Sequence, residues 1–149
     1  MIRRGKAEDG ERLARLRNAL WPENSVEEHR REVDLLLAGK SPGIMPMVVF
    51  VAEESGELVG FVEVGLRSCA DGCDLARAVG YVEGWYVEAQ WRRRGIGAEL
   101  VRAAEEWARG QGCVEMASDT QITNEISQRA HAALGFEVAE RSVLYRKKL

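Results

Sequence analysis

The sequence predicts an α/β sandwich built around a mixed sheet, and three observations carry that expectation. Apolar residues recur with helical spacing in some stretches and with strand spacing in others, the two kinds of stretch interleave late in the chain, and glycines or polar clusters mark the changes. The chain has 149 residues, 46% of them hydrophobic and 30% charged. That length points to a single domain over residues 1–149, large enough to bury a core without disulfide or metal staples. Collagen-like, coiled-coil and fully disordered classes are excluded by the composition.

A short strand is expected at Met1–Arg4. Over Asp9–Leu20, Leu13, Leu16 and Leu20 share one helical face, and Pro22 follows the end of the pattern. Ser25-Val26-Glu27-Glu28 has the form of a capping box, Val33, Leu36 and Leu37 continue the apolar face of a second helix, and Gly39 sits where its C-terminal cap belongs. Met47–Glu53 and Leu58–Arg67 are β-rich runs. The segment between them, Glu54-Ser55-Gly56-Glu57, has the length and the glycine of a hairpin loop, so the two runs are expected to pair antiparallel. Beyond a polar loop over Ser68–Ala78 lies a third strand, Val79–Val87. Ile96, Leu100, Ala103, Ala104 and Trp107 then define a helix over Gly95–Arg109 that Gly110 and Gly112 close. A short strand over Cys113–Ser118, a helix over Asn124–Leu134 and a closing strand over Val138–Tyr145 complete the order.

Charge and cysteine content narrow the function. With 21 Lys+Arg against 24 Asp+Glu the net charge is −3, which disfavours a nucleic-acid partner and leaves room for a small cationic one. The most apolar stretch, Ile44–Ala52, is interrupted by Pro46 and falls far short of the ~20 residues of a membrane span. Charged residues follow Arg3-Arg4 where a secretory leader would be apolar, so a cytoplasmic address is expected. Cys69, Cys73 and Cys113 form an odd set, expected to be reduced thiols. Cys69-x₃-Cys73, in a chain with two histidines, lacks a second ligand pair, so no metal is expected.

The most informative segment is Trp85-Tyr86-Val87-Glu88-Ala89-Gln90-Trp91-Arg92-Arg93-Arg94-Gly95-Ile96-Gly97-Ala98, which by itself reads either as an anion site or as a helix start with solvated arginines. A strand runs into a basic, glycine-bearing turn that opens a helix, so backbone N–H groups and the positive helix end converge where a pyrophosphate would sit. No Gly-Lys-Ser/Thr of a nucleotide loop and no third glycine of a dinucleotide fingerprint is present.

Arg92-x-x-Gly95-x-Gly97 after a strand, followed by a helix, a strand and Asn124…Ala130-His131-Ala132-Ala133-Leu134-Gly135-Phe136, resembles the GCN5-related N-acetyltransferase superfamily. The resemblance implies a three-layer α/β/α sandwich with a mixed, mostly antiparallel sheet. It implies acetyl-coenzyme A as cosubstrate, its pyrophosphate wrapped by Arg92, Arg93, Arg94, Gly95, Ile96, Gly97 and Ala98, main-chain groups of Tyr86 and Val87 on its pantetheine arm, and Asn124 beside that arm. A narrower similarity runs from about Trp21 to Leu149. Leu20-Trp21-Pro22, Asp71-Gly72-Cys73, Tyr81-Val82-Glu83-Gly84-Trp85, Ala117-Ser118-Asp119-Thr120 and Asn124-x-Ile126-Ser127-Gln128 resemble the short aminoglycoside 6′-N-acetyltransferases. That similarity implies Asp119 as the carboxylate near the reacting amine, Trp21, Glu83 and Glu140 as antibiotic contacts, and a homodimer in which Glu140 comes from the neighbouring subunit. Leu75-Ala76-Arg77-Ala78 replaces the Ser/Thr-Ser-Pro segment of many such enzymes, and Ser68-Cys69-Ala70 lacks their aromatic residue. Another amine, or a non-catalytic acyl-coenzyme A sensor, therefore stands beside the aminoglycoside reading.

The residue types leave each role open in a defined way. By strand parity Glu83 shares a face with Tyr81, Trp85 and Val87, where a carboxylate needs either an arginine partner or a ligand. Asp119 fits a turn as well as a site at a strand's C-terminal end. His131 stands where many acetyltransferases of this superfamily place a tyrosine that protonates the departing thiolate, and an imidazole can do that work or simply pack. Trp21 suits the core as well as the antibiotic.

Overall fold

The computed structural model describes residues 1–41 and 43–149. Its strands are β1 (Ile2–Arg4), β2 (Met47–Glu54), β3 (Glu57–Arg67), β4 (Val79–Val87) and β5 (Met116–Ser118), and they lie in chain order in one sheet. β1 to β4 pair antiparallel, and β5 runs parallel to β4, so the sheet is mixed and mostly antiparallel. Helices α1 (Gly10–Leu20) and α2 (Val26–Leu37) cover one face, α3 (Ile96–Gly110) covers the other, and α4 (Glu125–Ala133) follows β5. This is the expected three-layer sandwich. Among the described residues no helix is long and apolar enough to cross a membrane.

The two layers explain why β3 reads as a nearly continuous apolar run: consecutive side chains enter different cores. Phe61 packs with Leu13, Leu16, Val33 and Leu36 under α1 and α2, whereas Val62 and Val64 pack with Leu100 and Ala104 under α3. The capping box forms, with Ser25 Oγ accepting from Glu28 N at 3.2 Å and Ser25 N donating to Glu28 Oε2 at 2.9 Å. Ser55 (φ 51°) and Gly56 (φ 82°) are both left-handed, the twist that a two-residue hairpin turn between β2 and β3 requires.

Two features depart from the sequence reading. The first lies in β4, where Glu63 pairs with Gly84 and the next residue, Val64, pairs with Val82, leaving Glu83 as an extra residue without a partner. This β-bulge shifts the alternation by one position. Trp85 and Val87 therefore join the α3 layer with Val82, while Tyr81, across from Gly65, lies on the α1/α2 side. Glu83 does not share one face with all three residues, as unbroken parity predicted. The second is the closing strand: residues 138–145 form no strand in this chain. Phe136 docks on the α3 core and Ala139 rests on Gly72, but beyond them no ladder is offered, and Val138, Val143, Leu144 and Tyr145 stand exposed.

Candidate functional site

β4 and β5 are joined by only three residue pairs, Gly80–Met116, Tyr81–Ala117 and Val82–Ser118. From Glu83 to Val87, β4 runs on without that neighbour, and the sheet opens as a fork. Glu88 N donates to Val59 O at 2.9 Å, so by antiparallel alternation the main-chain groups of Tyr86 are directed at β3, and those of Trp85 and Val87 face the open edge. Of the expected pair, Val87 presents its main-chain groups to the open edge together with Trp85, and Tyr86 presents its own to β3. The Tyr86 ring packs against Phe61 instead.

The turn after β4 is held by Arg92, whose Nε donates to Val87 O at 2.8 Å and whose guanidinium lies 5.6 Å from the Tyr86 ring centroid. Arg93 (φ 60°) and Gly95 (φ 84°) are left-handed, and Gly95 caps α3 without a side-chain partner. The first N–H groups of a helix have no acceptor within it, so those of Ile96, Gly97 and Ala98 stay open to an anion, with the exposed Arg92, Arg93 and Arg94 around them. Arg94 stacks over Trp91 at 4.8 Å. Gly97 has a packing role: a Cβ there would lie 3.1 Å from Trp85 Cζ2, so the glycine seats α3 on the indole. This opening fits a coenzyme A pyrophosphate, and the free strand edge fits a chain that hydrogen-bonds like a peptide, as the pantetheine arm does.

On the α1/α2 side of the fork stands a polar network. Glu83 is held by Arg67 through two bonds, Nε to Oε1 at 2.9 Å and Nη2 to Oε2 at 2.7 Å. The Arg67 guanidinium lies 3.4 Å over the Tyr81 ring, and Tyr81 OH donates to Asp119 Oδ2 at 2.5 Å. Burial, then the bond to Asp119, pushes the Tyr81 phenol well above its ordinary range, so it remains a donor. Glu83 thus has the arginine partner that residue chemistry asked for, and Asp119 is exposed at the C-terminal end of β5.

Trp21 is half-buried, packed 6.3 Å from both His29 and Phe61, with the Arg17 guanidinium 5.1 Å from its centroid. Its indole edge lies on Gly84, next to Glu83, so it serves the core and borders the network at once. Below it Arg17 reaches Glu32 at 2.6 Å and Glu63 at 3.2 Å, the latter a charge contact without hydrogen-bond geometry. Burial pushes the Glu63 carboxyl up to about 7.

His131 is on the α3 side of the fork. Its Nδ1 is 2.7 Å from Ser127 O, which makes Nδ1 the donor, and Nε2 then accepts from Ser118 Oγ at 2.8 Å. Trp85 and Phe136 hold the ring edge-on at 5.4 and 5.3 Å. Asn124 acts as the N-cap of α4, its side-chain oxygen accepting from Ser127 N at 3.0 Å. Glu140 is exposed in the tail, one residue beyond the contact of Ala139 with Gly72.

The structure therefore brings together Trp21, Glu83 and Asp119 on one side of the fork, His131 on the other, and the turn from Arg92 to Ala98 at its mouth. Sequence reasoning missed Arg67, Glu63, Arg17 and Ser118 as members. A carboxylate inside the apolar run of β3 was the signal for Glu63, because such a group demands a partner from another element.

A model of the acetyltransferase (GNAT) family matches residues 13–136. The chain is 40% identical to an aminoglycoside N(6′)-acetyltransferase type 1 from Klebsiella aerogenes over 149 residues, covering 100% of this chain and 97% of that one. It is 46% identical to a protein of the same name from Serratia marcescens over 136 residues, 90% and 89% of the two chains. Among solved structures, AAC(6′)-Iy in complex with the bisubstrate analogue CoA-S-monomethyl-acetylneamine matches with a TM-score of 0.89 at 35% identity, over 100% of this chain and 98% of that one. The apo aminoglycoside 6′-N-acetyltransferase AAC(6′)-IG from Acinetobacter haemolyticus matches at 0.88 and 31% identity, over 100% and 99%.

Proposed function

The chain belongs to the acetyltransferase (GNAT) family, and from that premise we propose that it is an aminoglycoside 6′-N-acetyltransferase, moving acetyl from acetyl-coenzyme A directly to the 6′-amino group. The observation that carries this reading is the fork between β4 and β5, which puts carboxylates on one face and an imidazole on the other. Bound acetyl-coenzyme A supplies the activated acetyl group. The open N–H groups of Ile96 to Ala98 and the arginines of the turn hold its phosphates, and the Trp85–Val87 edge orients its arm. Glu83, Trp21 and Asp119 hold the polycationic acceptor, and Asp119 takes the proton that the attacking amine loses. Nε2 of His131 accepts from Ser118 Oγ in the resting tautomer; once Nε2 has taken a proton from solvent, His131 is placed to pass it through the Ser118 hydroxyl to sulfur, while the proton taken by Asp119 returns to solvent. Acetylation removes one positive charge from the antibiotic, so the biological outcome is resistance. The cytoplasmic address is part of the same reading.

Coenzyme A release should appear with aminoglycosides that bear a 6′-amine and not with their 6′-hydroxyl counterparts. Equal release from both would overturn the regiochemistry, and release from neither would overturn the acceptor class.

Gly97→Val is expected to weaken coenzyme A binding by about tenfold or more in calorimetry, because a side chain that must displace Trp85 also shifts the helix end that receives the phosphates. Trp85 displacement should register as a change in tryptophan fluorescence. Unaltered affinity would remove the turn from the binding site.

The reading includes a homodimer in which residues 138–145 pair with the partner and Glu140 reaches its acceptor site. It is supported by the exposed Val138, Val143, Leu144 and Tyr145, a β-prone run without a ladder in its own chain. Light scattering should give twice the mass of the chain, and deletion of residues 138–149 should give the single mass with acceptor turnover lost. A fully active single-chain species would refute it.

A further inference from the structure

We infer that Arg67 is a positioning residue that couples the two acceptor-side carboxylates, Glu83 and Asp119, into one unit. The inference rests on the acceptor-site reading above and adds to it the group that gives the carboxylates their geometry.

Glu83 is the bulged residue of β4, so no strand partner fixes its backbone from the β3 side. The direction of its side chain comes from the Arg67 fork, which grips both oxygens at 2.9 and 2.7 Å. A carboxylate has about four lone-pair positions, and a fork uses one on each oxygen, so the outer positions remain for an incoming ammonium. The same guanidinium lies over the Tyr81 ring, its Cζ 3.4 Å from the centroid, and the Tyr81 hydroxyl reaches Asp119 at 2.5 Å. One planar cation therefore connects β3, β4 and the loop after β5.

A cation inside a site for cations has two opposing effects. It repels the acceptor, and it removes the freedom of a side chain that would otherwise have to be ordered on binding. The Arg67 side chain is 44% exposed and that of Glu83 27%, so water screens the repulsion, while the fork and the stack fix geometry irrespective of screening. Positioning wins. Lysine cannot replace it, because an ammonium neither grips two oxygens in a plane nor stacks on a ring in the same way.

Steady-state kinetics of Arg67→Gln, Arg67→Lys, Glu83→Gln, Tyr81→Phe and the Arg67→Gln/Glu83→Gln pair test this. Arg67→Gln should raise the acceptor KM about tenfold or more, the scale of a lost hydrogen bond to a charged group, and Arg67→Lys should not restore it. In the Glu83→Gln background the same change should have a much smaller effect on KM, giving a coupling that two independent residues would not show. Tyr81→Phe, which keeps the stack and cuts the link to Asp119, should lower kcat more than it raises KM. Coenzyme A affinity should be unaltered in every variant, which reports an intact fold. Full activity of Arg67→Lys, additive effects in the double variant, or a lower acceptor KM in Arg67→Gln would overturn the inference, the last because Arg67 would then be a competing cation. If the wild-type protein acetylates no aminoglycoside, the acceptor reading fails by itself. The coupling is then read structurally: in a crystal structure of Arg67→Gln the side chains of Glu83 and Asp119 should both leave their wild-type positions, and it is overturned if Asp119 keeps its place.

Discussion

Asp119→Asn is expected to lower kcat by about a hundredfold or more, within the usual range for loss of a general base. A primary ammonium with a pKa near 10 is free amine about once in a thousand molecules at neutral pH, and a neighbouring carboxylate tightens binding while making deprotonation harder. That conflict is relieved only if the carboxylate, directly or through a water, takes the proton as attack begins. The substitution isolates this role, because the Asn side-chain oxygen can still accept the hydrogen bond that Tyr81 OH gives to Asp119 Oδ2 at 2.5 Å. Basicity and charge are lost while the local geometry stays. Glu83→Gln should act differently and mainly raise the acceptor KM, since Glu83 is committed to Arg67 and in the proposed site supplies charge rather than a base. Near-wild-type kcat in Asp119→Asn, with an unaltered pH profile, would reduce Asp119 to a turn residue.

Arg17→Met should destabilise the fold by about 3–5 kcal/mol near pH 8, the cost typical of leaving a buried charge without its partner. Glu63 is only 3% exposed, between α1 and the sheet, and Arg17 is the cation that reaches it. The pH dependence of the wild type has a defined sign. Burial raises the Glu63 carboxyl from 4.5 to about 7 in the folded state, so the native protein binds that proton more tightly than the unfolded chain does. The stability this contributes is fully present below about 4.5 and is lost as pH rises through about 7. Denaturant melts of wild type and Glu63→Gln across that window should therefore converge toward the acid end and separate toward the alkaline end, with Glu63→Gln the more stable there. Arg17→Met/Glu63→Gln should recover most of the loss. Parallel pH curves for wild type and Glu63→Gln would show that Glu63 does not titrate in the window.

What could be read from the sequence follows from how local each signal is. The capping box at Ser25, the left-handed hairpin turn at Ser55-Gly56 and the apolar stripe of α3 are decided within a few residues, and they formed as expected. The local geometry of the candidate site was legible where a motif concentrates it, as in the strand-to-helix turn from Arg92 to Gly97. Its faces were not, because parity along β4 presumes an unbroken ladder, and the bulge at Glu83 is decided by pairing with β3. Residues 138–145 carry the alternation of a strand, yet a strand is completed by a neighbour, which this tail does not find in its own chain. Arg67 carried no signal of its own. Only the close approach of β3, β4 and the end of β5 gives its guanidinium something to hold.

The bulge at Glu83 also makes β4 two half-strands with opposite phase. In a saturation-mutagenesis map of residues 79–87, tolerance should alternate, slip by one position at Glu83, and then alternate again. Upstream of the slip the odd-numbered position Tyr81 answers to the α1/α2 side; downstream the odd-numbered Trp85 and Val87 answer to α3. Deleting Glu83 would remove the extra residue, make Val82 and Gly84 consecutive partners of Val64 and Glu63, and leave the Trp85 indole on the α3 side. The two halves of one strand thus answer to different layers, and a substitution on one side of Glu83 should leave the packing of the other half in place.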